Sequence, residues 1–262
     1  MKDDIFVALY SEDSYVLDWM SLLIVRDWRT RVVLEATSEI ELSREMNTGF
    51  QKIDVLVIDL DAIENLKSVV GFMEEYNKKT GKLVKVIGLS RKPSSEFFKV
   101  VPSSFIRGFV FKQEILTSLG WAITFASEGT LIFTPGAIDA AYKSNFQVPK
   151  NHLVLRSRSY PGLTERQSEI ARLAIIFSIG RRDLANELKI SDQWSYGIVS
   201  ELYAQLGLGD ILDENQQFNS ILESDPVIKV HIAEIIKDLG ESKKARDLET
   251  LAFHLLTMPV IE

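Results

Sequence analysis

Apolar positions in the first half of the chain come in short runs, rich in β-branched residues, that stop abruptly at polar ones. IFVALY (5–10) ends in Ser11-Glu12-Asp13, DVLVID (54–59) in Asp59, LVKVIGLS (83–90) in Ser90, and Gly108–Phe111 in Lys112. Arg31–Ala36 reads as a further strand. Short unbroken runs suit strands buried on both faces of a parallel sheet. Between them lie segments of helical character: apolar Leu17–Val25, mixed Glu39–Thr48, Asn65–Lys79 with its stop signal Thr80-Gly81, and a closing Glu114–Ala126. Five strands alternating with helices predict an α/β fold, a doubly wound five-stranded parallel sheet with helices on both faces and no internal repeat.

The pattern changes after residue 128. Lys143–Pro161 has no clear period, contains Pro149 and Pro161, and carries His152, Arg156 and Arg158, as a linker would, its basic residues solvated or lying along a DNA backbone. At Thr164 a capping-box spacing to Gln167 opens a helix whose apolar face is Ile170, Leu173, Ala174 and Phe177. Ser178-Ile179-Gly180 breaks it, and Arg181–Leu188 forms a short second helix with Leu184, Ala185 and Leu188 inward. Ser191 caps a third that runs to Leu206 and stops at Gly207. Short helices joined by tight turns predict a helix-turn-helix. Two amphipathic helices follow: one starts at Asp225-Pro226 and ends at Gly240, the other spans Ser242–Met258. Their stripes (Val227, Ile228, Ile232, Ile235, Ile236, Leu239; Leu248, Leu251, Ala252, Leu255, Leu256) must be covered, either by the helix-turn-helix or in a dimer, the dimer being the expectation. His231 and His254 are too isolated for a metal site. The expected organisation is 1–128, an α/β domain; 129–160, exit segment and linker; 161–210, helix-turn-helix; 211–262, helical extension.

Bulk properties narrow the function. The 262 residues suffice for two domains, and 46% hydrophobic with 26% charged is a folded, soluble composition. The absence of cysteine excludes disulfides and thiolate metal sites. The opening MKDDIFVALYSEDS has acids where a signal peptide needs basic and then long apolar residues, and no run reaches a membrane span of about 20 residues. A cytoplasmic location and no membrane partner are expected. A net charge of −7 gives no global attraction to nucleic acid, so DNA binding requires a local basic face. No Ser/His/Asp arrangement, phosphate-cradling glycine loop or zinc spacing suggests an enzyme.

Polar groups at strand ends of an open α/β sheet gather at its carboxyl edge, so Ser11, Glu12, Asp13, Asp59, Ser90 and Lys112 should share one rim. A lone acid there can equally start a turn or cap a helix. Crowded carboxylates repel unless a cation lies among them. Mg2+ takes oxygen ligands, and Lys112 can pair with an anion at Asp59. Such a set has the chemistry of an aspartyl-phosphate site.

On these residues the first 128 or so positions resemble the receiver domain of two-component response regulators. The resemblance implies that Asp59 is the phospho-acceptor, Ser90 the switch hydroxyl, Lys112 the phosphate-pairing lysine and Phe109 the switch aromatic. It makes Glu12 and Asp59 ligands of Mg2+, with Asp13 a third if it replaces the acid absent at Ser11. GWAITFASEGTLIFTPGAIDAAY (120–142) is similar to the last helix and exit segment of the NarL/FixJ/LuxR subfamily. The subfamily's Pro-Gly turn is replaced by Leu60-Asp61-Ala62-Ile63-Glu64, where Asp61 either supplies the lost acid or points to solvent.

Residues 161–209 resemble the LuxR-type helix-turn-helix through Leu163-Thr164, Arg166, Glu169, the Arg182-to-Ser191 run and Leu206-Gly207. That likeness implies DNA contacts by Arg166, Arg181, Arg182 and Lys189, with Trp194 and Tyr196 on a recognition helix that has no basic residue. Gly197 also weakens that helix. Together the two likenesses imply a homodimeric transcription factor served by a sensor kinase. A contrasting expectation is an adaptor that keeps both folds without phosphotransfer or DNA reading.

Overall fold

The structure is a computed structural model describing residues 4–48, 52–160, 162–208, 225–239 and 245–262. The chain divides into two compact units. One holds the residues up to Val25, Arg29–Ser157 and Ile261–Glu262; the other holds Arg26–Trp28 and Arg158–Val260.

The strands are β1 (Ile5–Tyr10), β2 (Thr30–Ala36), β3 (Val55–Asp59), β4 (Lys85–Ser90), β5 (Ile106–Phe111), β6 (Leu131–Phe133), β7 (His152–Arg156) and β8 (Val260–Ile261). They form a sheet of order β2-β1-β3-β4-β5-β6-β7-β8, parallel from β2 through β7. The five expected strands are present in the doubly wound order 2-1-3-4-5. The sheet, however, has eight strands among the described residues rather than five. Two of the additional strands lie in the stretch read as exit segment and linker. β6 is three residues long, too short to display a period, and β7 buries only Leu155 fully, so neither produces an apolar run. Val154 and Glu262 exchange backbone hydrogen bonds of 3.1 and 3.0 Å, the narrow pair of an antiparallel ladder. Arg156, read as a solvated or DNA-facing linker residue, is ion-paired with Glu262 at 2.8 Å.

The helices of this unit are α1 (Ser14–Arg26), α2 (Glu39–Thr48), α3 (Leu66–Thr80), α4 (Ser95–Val100), α5 (Lys112–Ile115), α6 (Leu119–Ser127) and α7 (Pro135–Lys143). Ala8, Tyr10, Leu56, Ile58, Val86 and Phe109 enter one core with α2, α3, α4 and α7. The alternate residues Val7, Leu9, Val55, Val57, Ile87, Leu89 and Val110 are buried as well, and α6 packs along β3 to β6. Burial on both faces is why these strands read as unbroken apolar runs. The closing helix expected over 114–126 is two helices, interrupted where Leu116 takes a φ of 42°. The six-residue α4, capped by Ser94, is too short for the apolar period to reveal.

The second unit contains α8 (Glu165–Ala171), running into a π-helical turn at Arg172–Ile176, then α9 (Arg181–Leu188), α10 (Asp192–Gln205), α11 (Pro226–Leu239) and α12 (Ala245–Thr257). The Thr164/Gln167 capping box is formed, and Ser191 caps α10. Lys189 ends α9 in the left-handed conformation, making the tight turn between α9 and α10. Ile170, Leu184, Ala185, Leu188, Val199 and Leu202 are buried. So are Ile228, Ile232 and Ile235 of α11 and Leu251 and Leu255 of α12, and α12 packs on the π turn and on α11. Most of the stripe residues expected to form a dimer interface are therefore buried within the chain, but Val227 is exposed and Ile236, Leu239, Leu248 and Leu256 are half-buried. The predicted stop at Gly240, the start at Ser242 and residues 211–224 of the extension lie outside the described residues.

Candidate functional site

Sheet register decides what meets at the carboxyl edge. Tyr10 is paired with Ile58, so Ser11 stands level with Asp59. Asp59 is paired with Leu89 and Ser90 with Phe111, which puts Ser90 and Lys112 one step further along the same rim. Side-chain geometry completes the convergence. Lys112 Nζ lies 2.6 Å from Asp59 Oδ1 and 3.0 Å from Asp61 Oδ2, bridging two carboxylates. Ser11 Oγ donates to Asp59 Oδ2 at 2.8 Å, and the Asp61 amide donates to Asp59 Oδ1 at 3.1 Å. Asp59 is wholly buried, and both its oxygens are engaged by groups of the chain itself.

Asp61 neither replaces the missing acid nor points to solvent. Its Oδ1 lies 2.8 Å from Ser90 Oγ, and its Oδ2 accepts from the Arg91 amide at 2.8 Å. Burial works to raise the Asp61 carboxyl, but the hydrogen bonds from Lys112 and Ser90, the Lys112 charge and the Arg91 amide outweigh it and hold the group below its ordinary range. The amide of Arg91 could not be foreseen, because its role depends on backbone direction at the end of β4. Ser11 and Asp61 were visible only as departures from a pattern.

The expected metal ligands do not assemble. Glu12 accepts a hydrogen bond from the Tyr10 hydroxyl at 2.6 Å, and burial together with Glu12 pushes that hydroxyl above its ordinary value. Asp13 caps α1, its Oδ1 accepting from the amides of Tyr15 and Val16. Among the described residues no three acid, histidine or cysteine side chains are grouped to hold a metal. The donor set, as arranged, does not fit Mg2+.

Phe109 is completely buried at the centre of an aromatic group, stacked on Phe97 at 5.4 Å and edge-on to Phe98 and Phe111 at 5.0 and 5.6 Å. A Cβ at Gly88, beneath Phe97, would lie 2.9 Å from that ring, so the small residue on β4 is what admits it.

In the helical unit the candidate DNA contacts differ in availability. Arg166 is paired with Glu169 at 2.7 Å, and the Arg181 guanidinium lies 5.8 Å from the centre of the Tyr196 ring. Arg182 and Lys189 are exposed. Trp194 and Tyr196 are 59% and 60% exposed on α10, which carries Asp192 and Glu201 but no lysine or arginine. Over 162–208 there are five basic and six acidic residues, so no excess of positive charge builds up.

No protein-family model matches the chain, and no curated protein matches it. Solved structures do. The Salmonella typhimurium RcsB response regulator, in a study of its conformational dynamism for DNA interaction, is 17% identical, covering 82% of this chain and 95% of its own at a TM-score of 0.44. A structure of two RcsB dimers bound to two parallel DNAs is 16% identical over the same shares, at 0.45. The response regulator ChrA of a heme-sensing two-component system is 18% identical, covering 79% and 92%, at 0.40. No helix among the described residues is long and apolar enough to cross a membrane. These likenesses are of low identity, and the fold assignment rests instead on the chain's own strand order and register.

Proposed function

We propose that the chain is a response-regulator-like transcription factor, with the rim of its α/β unit as the input and the α8–α10 helices as the DNA-contacting part. The observation that carries this reading is the turn between α9 and α10: Lys189 in the left-handed conformation and the Ser191 cap hold two short helices in helix-turn-helix succession. Arg181, Arg182 and Lys189 supply the phosphate contacts, and the first turns of α10 present Trp194 and Tyr196. Pairing of two copies belongs to the same proposal, and exposed Val227 and Val230 of α11 are apolar surface left for it. Fluorescence anisotropy with mixed genomic DNA across salt concentration tests the proposal. Binding that weakens steeply with salt supports it, and no binding at low salt overturns it.

Input by a sensor kinase, with phosphoryl transfer to Asp59 and Mg2+, requires Lys112 to release a carboxylate and Glu12 to leave Tyr10. Exposure of wild type and Asp59→Asn to a small phosphodonor with Mg2+ tests this. Labelling confined to wild type supports it, and an unlabelled wild type excludes it.

A second reading, an adaptor binding protein rather than DNA, is favoured by the same helix. Trp194 and Ile198 of α10, with Ile170, Leu188 and Ile190, line an apolar groove of about 220 Å³. Exposed aromatics beside such a groove are typical of protein interfaces.

A further inference from the structure

Beside the acceptor position, three donors converge on a single carboxylate. Asp61 receives the Ser90 hydroxyl on one oxygen, at 2.8 Å, and the Arg91 amide and Lys112 ammonium on the other, at 2.8 and 3.0 Å. Only 7% of its side chain is exposed. A hydroxyl, a backbone N–H and an ammonium arranged around two oxygens form an oxyanion site, because each is a donor and one carries positive charge. The backbone sets this up locally. The Asp61 amide bonds back to Asp59 Oδ1, folding the chain over the end of β3 so that the carboxylate reaches the end of β4. Paired with an ammonium and held by two further donors, the Asp61 carboxylate supplies the negative charge of such an oxyanion.

We propose that Asp61 is a built-in anion, filling an oxyanion site made by Ser90, Arg91 and Lys112 that would otherwise take a free tetrahedral oxyanion such as inorganic phosphate. The rim is therefore set in its anion-bound arrangement with no external ligand, and phosphate finds the site taken. The proposal does not depend on what the helical unit binds. It differs from simple charge balance, in which Asp61 would serve only to neutralise Lys112 and its removal would create no site.

The test compares full-length wild type, Asp61→Ala and Asp61→Asn in phosphate and in chloride at matched ionic strength, by thermal unfolding and by 31P NMR line broadening. Wild type should melt at the same temperature in both salts. Asp61→Ala should melt lower in chloride and recover in phosphate with saturation, its phosphate affinity at least about tenfold that of wild type, a difference easily resolved. Asp61→Asn retains the bulk of the side chain without its charge and should bind phosphate more weakly than Asp61→Ala but better than wild type. Adding Ser90→Ala to Asp61→Ala should weaken phosphate binding again. The proposal is overturned if wild type binds phosphate as tightly as Asp61→Ala, or if folded Asp61→Ala gains nothing from phosphate. Should Asp61→Ala fail to fold, the same two outcomes are read from Asp61→Asn.

Discussion

The two units spend their polar groups in opposite ways. At the carboxyl edge of the sheet, Asp59, Asp61, Ser11, Ser90 and Lys112 are turned on one another, and four of the five are almost fully buried. On α10 Trp194 and Tyr196 are well exposed among polar neighbours, while Val199 and Leu202 are packed away. The first arrangement is a closed electrostatic circuit, stable because every charge has a partner. The second leaves a surface whose energy is released only when something covers it. The sequence resemblance raises the expectation of chemistry at the rim; the side chains there are engaged with one another.

The sharpest way to break this contrast is Lys112→Met. It removes the cation between two carboxylates that are wholly or nearly buried, and losing one partner of a buried ion pair costs about 3–5 kcal/mol. Urea unfolding at neutral pH measures it. The cost should shrink as pH falls. In wild type the folded Asp61 carboxyl titrates below its unfolded value of about 3.9, so its contribution is present above that pH and is lost as pH drops through the lower folded value. The variant lacks the charge that depresses the group and has less to lose. An unchanged stability would show that the rim is not the closed circuit described.

The counterpart in the helical unit is Leu202→Ala, which empties a position 1% exposed and should cost about 2–5 kcal/mol. No titratable group is involved, so its effect should stay level across the pH range in which the Lys112→Met cost declines. A pH-dependent Leu202→Ala would mean that the units do not differ as argued.

What the sequence disclosed follows the same division. Strands β1, β3, β4 and β5 were readable because burial on two faces leaves apolar runs, while the edge strand β2 is half-buried, and the parallel pairing of all five follows from their alternation with helices. β6 and β7 were not, since three residues cannot show a period and β7 is half-buried throughout most of its length. At the site, register sets Ser11, Asp59, Ser90 and Lys112 on one rim, as the polar ends of the apolar runs suggested, and side-chain geometry brings them into contact. What the expected metal ligands do instead was invisible in sequence: the carboxylates of Glu12 and Asp13 accept from the Tyr10 hydroxyl and from amides of α1. Asp61 was ambiguous until the turn after β3 fixed where its carboxylate points. In the helical unit the Thr164 capping box, the Ser191 cap and the Leu184/Ala185/Leu188 face agreed with their pattern because they are local, whereas the π-helical turn after α8 buries Ile175 and Ile176 and leaves the expected Leu173 and Phe177 half-buried. The covering of the α11 and α12 stripes is a tertiary matter, and periodicity could only require that something cover them.

A smaller effect is expected at the start of α8. Thr164→Ala removes the side chain that accepts from the Gln167 amide, and loss of such a cap costs about 1 kcal/mol. The change should appear as a lower midpoint for the helical unit in denaturant, without altering the pH dependence assigned to the rim. A cost well above this value would mean that Thr164 does more than satisfy one helix donor.

The smallest stability effect should come with the largest effect on recognition. Trp194→Ala and Tyr196→Ala alter exposed side chains and should each shift unfolding by no more than about 0.5 kcal/mol. If α10 faces DNA, both should lower affinity at every salt concentration while leaving the salt slope unchanged, because neither side chain displaces counterions. Replacing Arg182 or Lys189 with Ala should instead reduce the slope by about one for each phosphate no longer neutralised. The two behaviours separate contact by the aromatic face from neutralisation by its basic neighbours. Aromatic variants that leave DNA affinity untouched while the arginine and lysine variants weaken it would turn α10 away from the nucleic acid. Its exposed surface would then have to be explained by a protein partner.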